Sequence, residues 1–272
     1  MICFPNAKIN LGLNIVSKRE DGYHNLETVF YPIGIKDALE VIIRKEPRED
    51  TLVQLGIKVD AASSDNLVMK ALRMMRQCYS FPAVEVHLLK KIPFGAGLGG
   101  GSADAAFMLK LLNNKFSLSA SDKDLIAMAA KLGADCPFFI HNKPVYATGI
   151  GEIIDPFEFS LTGYTIVLVK PDIFVSTKDA FSKIVPVSTE ITAKEIVRQP
   201  VHEWKDSLRN DFEESIFAMY PEIGEIKSKL YKFGAEYASM SGSGSSVFGL
   251  FKEDINLSLE FENSFYFKET FE

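Results

Sequence analysis

Apolar and polar residues alternate near the start of the chain: Ile9, Leu11, Leu13 and Ile15 against Asn10, Gly12 and Asn14. A period of two marks a half-buried strand. Further strand-like runs fall at residues 26–33, 39–44 and 52–59. The period then changes. Leu67, Val68, Ala71, Leu72, Met75 and Cys78 share a helical face, with Asp65 placed to cap it. Val84, Val86 and Leu88 alternate as another strand. A helix is expected over 103–112. A second opens at Ser121, where Asp124 three residues on makes a variant capping box, and ends near Leu132. Gly133 stands where a helix C-terminus favours a left-handed residue. Between 149 and 163 the pattern loosens, and Gly149, Gly151, Pro156 and Gly163 mark turns. We draw the domain boundary there, giving an N-terminal lobe 1–155 and a C-terminal lobe 156–272. The second lobe offers a strand at 164–169, helices at 176–184, 192–198, 204–219 and 221–233, and strands at 237–240 and 247–251. The expected class is α+β.

Bulk properties narrow the function. A chain of 272 residues can bury one large core or two modest ones. Hydrophobic residues make up 47% and charged residues 24%, the proportions of an ordinary globular protein. The net charge of −6 comes with no basic face, which argues against nucleic acid as a partner. The doublet Lys90-Lys91 reads as a solvated strand end. Cys3, Cys78 and Cys136 form no CxxC pair, and His24, His87, His141 and His202 are scattered, so no disulfide framework or metal site is indicated and the metal ligands stay unknown. Reduced thiols fit a cytoplasmic location. No apolar run approaches the ~20 residues that span a bilayer, and no signal peptide is read. The oligomeric state is left open.

One segment stands apart: Pro93-Phe94-Gly95-Ala96-Gly97-Leu98-Gly99-Gly100-Gly101-Ser102. Each glycine costs backbone entropy on folding, so such crowding needs a reason. Close approach of backbone N–H groups to a bulky anion is one. A helix starting at about Ser102 adds its unpaired N–H groups and the positive end of its dipole. Strand, glycine loop and helix start together make a phosphate cradle. The GxGxxG spacing alone also admits a dinucleotide fold, with Asp122 and Asp124 roughly where a ribose-binding acid would lie, although they fall at a helix start. No Gly-Lys-Ser/Thr follows, so this is not a Walker A loop.

The segment 93–106 resembles the phosphate loop of the GHMP kinases, the family of galactokinase, homoserine kinase and mevalonate kinase. Four other segments agree: Ala7-Lys8-Ile9-Asn10-Leu11, Asp21-Gly22-Tyr23-His24-Asn25-Leu26, Gly133-Ala134-Asp135-Cys136-Pro137-Phe138-Phe139 and Ser241-Gly242-Ser243-Gly244-Ser245. The resemblance extends to about Phe251. It implies a two-lobed fold, with an N-terminal lobe like ribosomal protein S5 domain 2 and a ferredoxin-like C-terminal lobe. It also implies an ATP-dependent kinase that uses Mg²⁺ and acts on a small molecule bearing cytidine diphosphate. Another small-molecule kinase of mevalonate or sugar type, a dinucleotide-binding oxidoreductase, and a nucleotide-binding protein without catalysis remain the alternatives.

Residue roles follow from the same resemblance. Pro93, Phe94, Gly95, Ala96, Gly97, Leu98, Gly99, Gly100, Gly101, Ser102 and Ala103 would hold ATP. Asp135 would take the proton of the acceptor alcohol, at a bend where Pro137 turns Cys136 away from helix. Lys8 would be its partner. Asn10, Tyr23, His24, Thr177 and Phe181 would hold the acceptor, with Phe30 a weaker candidate. Plainer readings stand beside these: Asp135 as a chain-capping residue, Lys8 as an exposed lysine, Tyr23 and His24 as a polar turn, Phe30 and Phe181 as core, Ser102 as a helix N-cap, and Ser241–Ser245 as a tight bend. Asn210-Asp211-Phe212-Glu213 is given a structural role. Ser243 and Ser245 depart from the threonine and alanine common in the family, and residues 253–272 match nothing.

Overall fold

Period-two patterns do become strands here. The computed structural model describes residues 1–45, 49–57, 66–181, 184–187 and 191–272. In chain order the first elements are β1 (Ile2–Cys3), β2 (Asn6–Lys18), β3 (His24–Lys36), β4 (Ala38–Ile43), β5 (Thr51–Gly56), α1 (Leu67–Cys78), β6 (Val84–Lys90), α2 (Gly100–Phe116), α3 (Asp122–Leu132) and α4 (Cys136–His141). There follow β7 (Val145–Thr148), β8 (Ile153–Pro156), β9 (Thr165–Pro171), α5 (Thr177–Phe181), α6 (Ala193–Ile196), α7 (Phe212–Met219), α8 (Pro221–Lys232), β10 (Tyr237–Met240), β11 (Val247–Phe251) and β12 (Ser264–Thr270).

The chain packs as two units that interleave along the sequence. The first comprises Met1–Ala7, Gly34–Phe94 and Gly99–Lys143. Its sheet runs β1-β4-β6-β5, with β5 parallel to β6 and the other pairs antiparallel. Val84, Val86 and Leu88 of β6 are buried along with Val68, Leu72 and Met75 of α1 and Ala105, Met108, Leu109 and Leu112 of α2. Asn66 caps α1, its side chain accepting from the Val68 N–H at 2.9 Å; Asp65 lies outside the described residues. Ser121 and Asp124 form the full reciprocal capping box at α3.

The second unit comprises Lys8–Ile33, Gly95–Leu98 and Pro144–Glu272. It holds the antiparallel sheets β2-β3-β7-β8 and β10-β11-β9-β12. Leu13 and Ile15 pack in one core with Val167, Val169, Ile216, Ile223, Leu230 and Val247.

Several expectations are corrected. The helix expected over 204–219 starts only at Phe212. Residues 209–211 instead pair with β2: the Leu13 N–H donates to Arg209 and the Asp211 N–H to Leu13. A backbone bonded to a strand cannot also close helical turns. The helix after the glycine loop begins at Gly100, earlier than expected, and runs to Phe116. Gly133 is extended, not left-handed, with φ 171°. Cys136 opens α4 despite Pro137, because the missing N–H of proline is harmless in a first turn. Residues 58–59 and 182–183, within the expected strand 52–59 and helix 176–184, lie outside the described residues. The unmatched tail supplies β12, which pairs with β9 from Ser264↔Pro171 to Thr270↔Thr165.

Candidate active site

In the second unit, the loop residues Gly95–Leu98 are held by their carbonyls. The Ser246 N–H donates to Ala96 O at 3.3 Å, the Ser241 hydroxyl to Gly97 O at 2.9 Å, and the Lys8 N–H to Leu98 O at 3.0 Å. Gly95 and Gly97 take left-handed φ angles of 59° and 72°, while Ala96 and Leu98, each following one of them, are buried. At Gly97 no side chain fits, since a Cβ would lie 1.8 Å from the Ser241 carbonyl oxygen. The glycine turn 241–245 is therefore part of the loop's support, and more than a tight bend. Asn210 holds that turn: its Nδ2 donates to Met240 O at 2.7 Å and Gly242 O at 2.9 Å. The unexpected Ser245 is buried, and its hydroxyl donates to Ile173 O at 2.6 Å.

Lys8 is buried at 3% exposure, so it is not an exposed lysine. Its Nζ donates to Asn10 Oδ1 at 2.6 Å and stands 4.6 Å from the centre of the Phe30 ring. The side chain of Asn10 in turn donates to Thr28 Oγ1 at 3.0 Å, and the Asn10 N–H donates to Ser241 Oγ at 3.3 Å. Period two put Lys8 and Asn10 on one face of β2; Thr28 on β3 completes the set and had no sequence signal of its own. Phe30 is 2% exposed, a core residue with a cation over its face.

His24, at the start of β3, stacks on Phe181 at the end of α5, with centroids 5.0 Å apart and planes 20° from parallel. Phe181 packs edge-on against Phe212 at 4.8 Å. Tyr23 is 61% exposed and its N–H is held by Asp21 at 3.0 Å. Thr177 opens α5 and is exposed. An exposed aromatic beside a stacked pair can take a planar ring.

In the first unit, Gly99 with φ 69° is the N-cap of α2. Gly100, Gly101 and Ser102 form the first turn, whose N–H groups have no intrahelical partner. Ser102 is thus inside the helix and is not its cap. Pro93 is half-buried, Phe94 is exposed, and Ala103 is fully buried. Burial pushes the Cys136 thiol pKa up to about 12. Asp135 is half-buried, just ahead of α4, and does not cap that helix with its side chain. The phosphate-loop helix and the Asp135 segment therefore meet within one unit. Lys90 is also buried, against expectation, where it pairs with Asp37 and Asp104. The alternation Val84, Val86, Leu88 extends to position 90, so the signal for its burial was present in the sequence.

All three cysteines are free. Among the described residues no cluster of three or more His, Cys, Asp or Glu could hold a metal, and no helix is long and apolar enough to cross a membrane.

A glycine-rich turn leading into a helix N-terminus is an arrangement suited to binding phosphate. Residues 66–143 match the GHMP kinases N terminal domain and residues 192–259 the GHMP kinases C terminal domain. The chain belongs to the GHMP kinase family. It is 57% identical over 98% of both chains to a Bacteroides fragilis protein named 4-diphosphocytidyl-2-C-methyl-D-erythritol kinase. A Parabacteroides distasonis protein of the same name is 57% identical, with 93% of this chain and 92% of that protein covered. A crystal structure of 4-(cytidine 5′-diphospho)-2C-methyl-D-erythritol kinase superposes with a TM-score of 0.78 at 32% identity, covering 92% of this chain and 90% of that one. The α+β GHMP kinase fold expected from the sequence is the fold observed.

Proposed function

We propose that this protein transfers the γ-phosphoryl group of ATP to the 2-hydroxyl of 4-diphosphocytidyl-2-C-methyl-D-erythritol, in the non-mevalonate route to isoprenoid precursors. The strongest single support is the 57% identity across almost the full length of a relative bearing that kinase name. The acceptor is a tertiary alcohol and a poor nucleophile. Asp135 accepts its proton, a general-base contribution of about 10²–10⁴-fold. Lys8 stabilises the negative charge that develops on the attacking oxygen. Its hydrogen bond to Asn10 fixes where the ammonium points. The loop 93–103 and the first turn of α2 bind the triphosphate. Mg²⁺ would arrive with the nucleotide, with Ser102 Oγ as a candidate protein oxygen to hold it, and would supply charge neutralisation at the phosphates.

The cytosine lies against Tyr23, His24 and Phe181, with Thr177 and Asn10 completing the acceptor site. The His24–Phe181 stack supports this reading over a mevalonate- or sugar-type kinase, whose acceptors carry no base. The dinucleotide-binding oxidoreductase is set aside by the kinase family membership. We assign residues 1–155 to the ATP-binding lobe and 156–272 to the C-terminal lobe, and place the protein in the cytoplasm with no nucleic-acid partner.

The test is to incubate the protein with Mg-ATP and the cytidine diphospho acceptor and follow ADP. Release of ADP that requires the acceptor is expected; none above the blank, from folded protein, would refute the substrate. Asp135→Asn should keep ATP affinity within about threefold and lose at least ~10²-fold in kcat. Unchanged turnover would remove Asp135 from the base role, and a protein that binds nucleotide without any turnover would favour the non-catalytic alternative.

A further inference from the structure

We infer that Lys90, Asp37 and Asp104 form a buried charged clamp that positions the nucleotide-binding start of α2, and that its integrity sets affinity for ATP and not for the acceptor. This rests on the reading above that the glycine loop binds ATP. Lys90 closes β6, just ahead of the loop; Asp104 stands in the second turn of α2, just after it. Lys90 Nζ donates to Asp104 Oδ2 at 2.7 Å and to Asp37 Oδ2. Asp37, between β3 and β4, spends its other oxygen on the N–H groups of Lys91 at 2.5 Å and Ile92 at 2.8 Å, the first two residues beyond β6. One cluster thus fixes both stems of the loop. The fit at the helix start is tight: a Cβ on Gly100 would lie 2.8 Å from Ile92 Cγ2 and 3.4 Å from Lys90 Nζ.

Stability alone does not account for such a cluster. The three residues are 5%, 1% and 2% exposed. Buried ion pairs repay little of their desolvation, and apolar residues of similar volume often stabilise as well or better. Asp104 Oδ1 has no protein hydrogen-bond partner, a cost that a purely stabilising cluster would not carry. What charged groups supply is direction. The N–H groups of an anion site must be held within about 0.5 Å of their working positions, and the first turn of α2 leaves Gly100 directly against the clamp. The clamp residues are positioning residues, since they act on ATP through the backbone they hold.

Calorimetric titration of the full-length protein with Mg-ATP, together with steady-state kinetics on both substrates, tests this. Asp104→Leu should raise the Kd and KM for ATP at least tenfold and leave the acceptor KM within twofold. Asp104→Asn, which keeps an oxygen facing Lys90, should bring the ATP Kd back to within threefold of wild type. Wild-type ATP affinity in a folded Asp104→Leu protein, an equal rise in both KM values, or no recovery in Asp104→Asn would each overturn the clamp. Should Asp104→Leu not fold, Lys90→Arg serves: its planar head keeps the charge but not the geometry, and an ATP Kd raised less than threefold would count against the proposal. A wild-type protein that binds Mg-ATP yet releases no ADP with the acceptor would sink the substrate assignment and leave the clamp standing. Failure of the wild type to bind Mg-ATP at all would remove both.

Discussion

The two halves of the glycine loop are anchored by different chemistry. Gly95–Leu98 is held by neutral bonds: its carbonyls accept from the backbone of Lys8 and Ser246 and from the Ser241 hydroxyl. The stretch from Gly99 onward is held by buried charge at Lys90, Asp37 and Asp104. Neutral backbone bonds each contribute about 1 kcal/mol and none dominates. A buried charged cluster concentrates the cost, because removing one member takes away a partner that no water replaces. The loop thus has a redundant half and a concentrated half.

This contrast can be broken from the neutral side most severely at Gly97. Gly97→Ala puts a Cβ into the Ser241 carbonyl at a left-handed φ, so the two glycine turns must part. ATP affinity should fall at least ~30-fold, about 2 kcal/mol, in line with the strain expected of such a residue. Affinity within twofold of wild type would show that the turns are not coupled. Next comes Asn210→Ala, which removes a donor from the Gly242 carbonyl and leaves Met240 O with the Ser239 hydroxyl; a loss of about 1–3 kcal/mol in denaturant unfolding is expected.

On the charged side the lever is pH. Burial, with Asp37 close by, raises the Asp104 carboxyl to about 8 against the pull of Lys90. A carboxyl raised above its unfolded value holds its proton better in the folded state, so its contribution to stability is full below about pH 4 and is lost as pH climbs towards 8. Asp104→Asn should flatten that fall, once Lys90 and Asp37 are left as a simple pair. An unaltered pH–stability slope would mean that Asp104 is ionised throughout. Smallest of all should be Ser241→Ala. Two hydroxyl bonds are lost, to Gly97 O and from the Asn10 N–H, at about 1 kcal/mol. A shift of Tm by more than ~8 °C would contradict the redundancy of this half.

Much of this architecture could be read from the residues. The alternation from Ile9 to Ile15 gave β2, the capping pair Ser121–Asp124 gave α3, and the glycine crowding gave the cradle. What escaped has physical causes. Residues 204–211 carry a helical pattern, but the backbone of Arg209 and Asp211 is claimed by Leu13, nearly 200 positions away, which no local signal reports. Lys90 was misread because a charged residue at a strand end is usually solvated, and only Asp37 and Asp104 together make its burial tolerable. The support given by Asn210 and Ser241 is equally long-range: polar residues in turns look alike until their partners are known. His24 and Phe181 come together only through the fold, and their pairing was legible solely by family resemblance.

The interleaving of the two packing units has a consequence for the order in which the protein can be made. Every residue of the first unit precedes Pro144 in a chain of 272. A ribosome has therefore supplied that whole unit, buried clamp included, before Pro144 is added. Strand β2 of the second unit emerges among the earliest residues, yet its partners at Arg209 and Asp211 come far later, and the edge of β9 waits for Ser264–Thr270. Domains tend to fold as units during synthesis. Vectorial synthesis accordingly leaves β2 without its partners at Arg209 and Asp211 until they emerge, and the edge of β9 is closed only once Ser264–Thr270 are made.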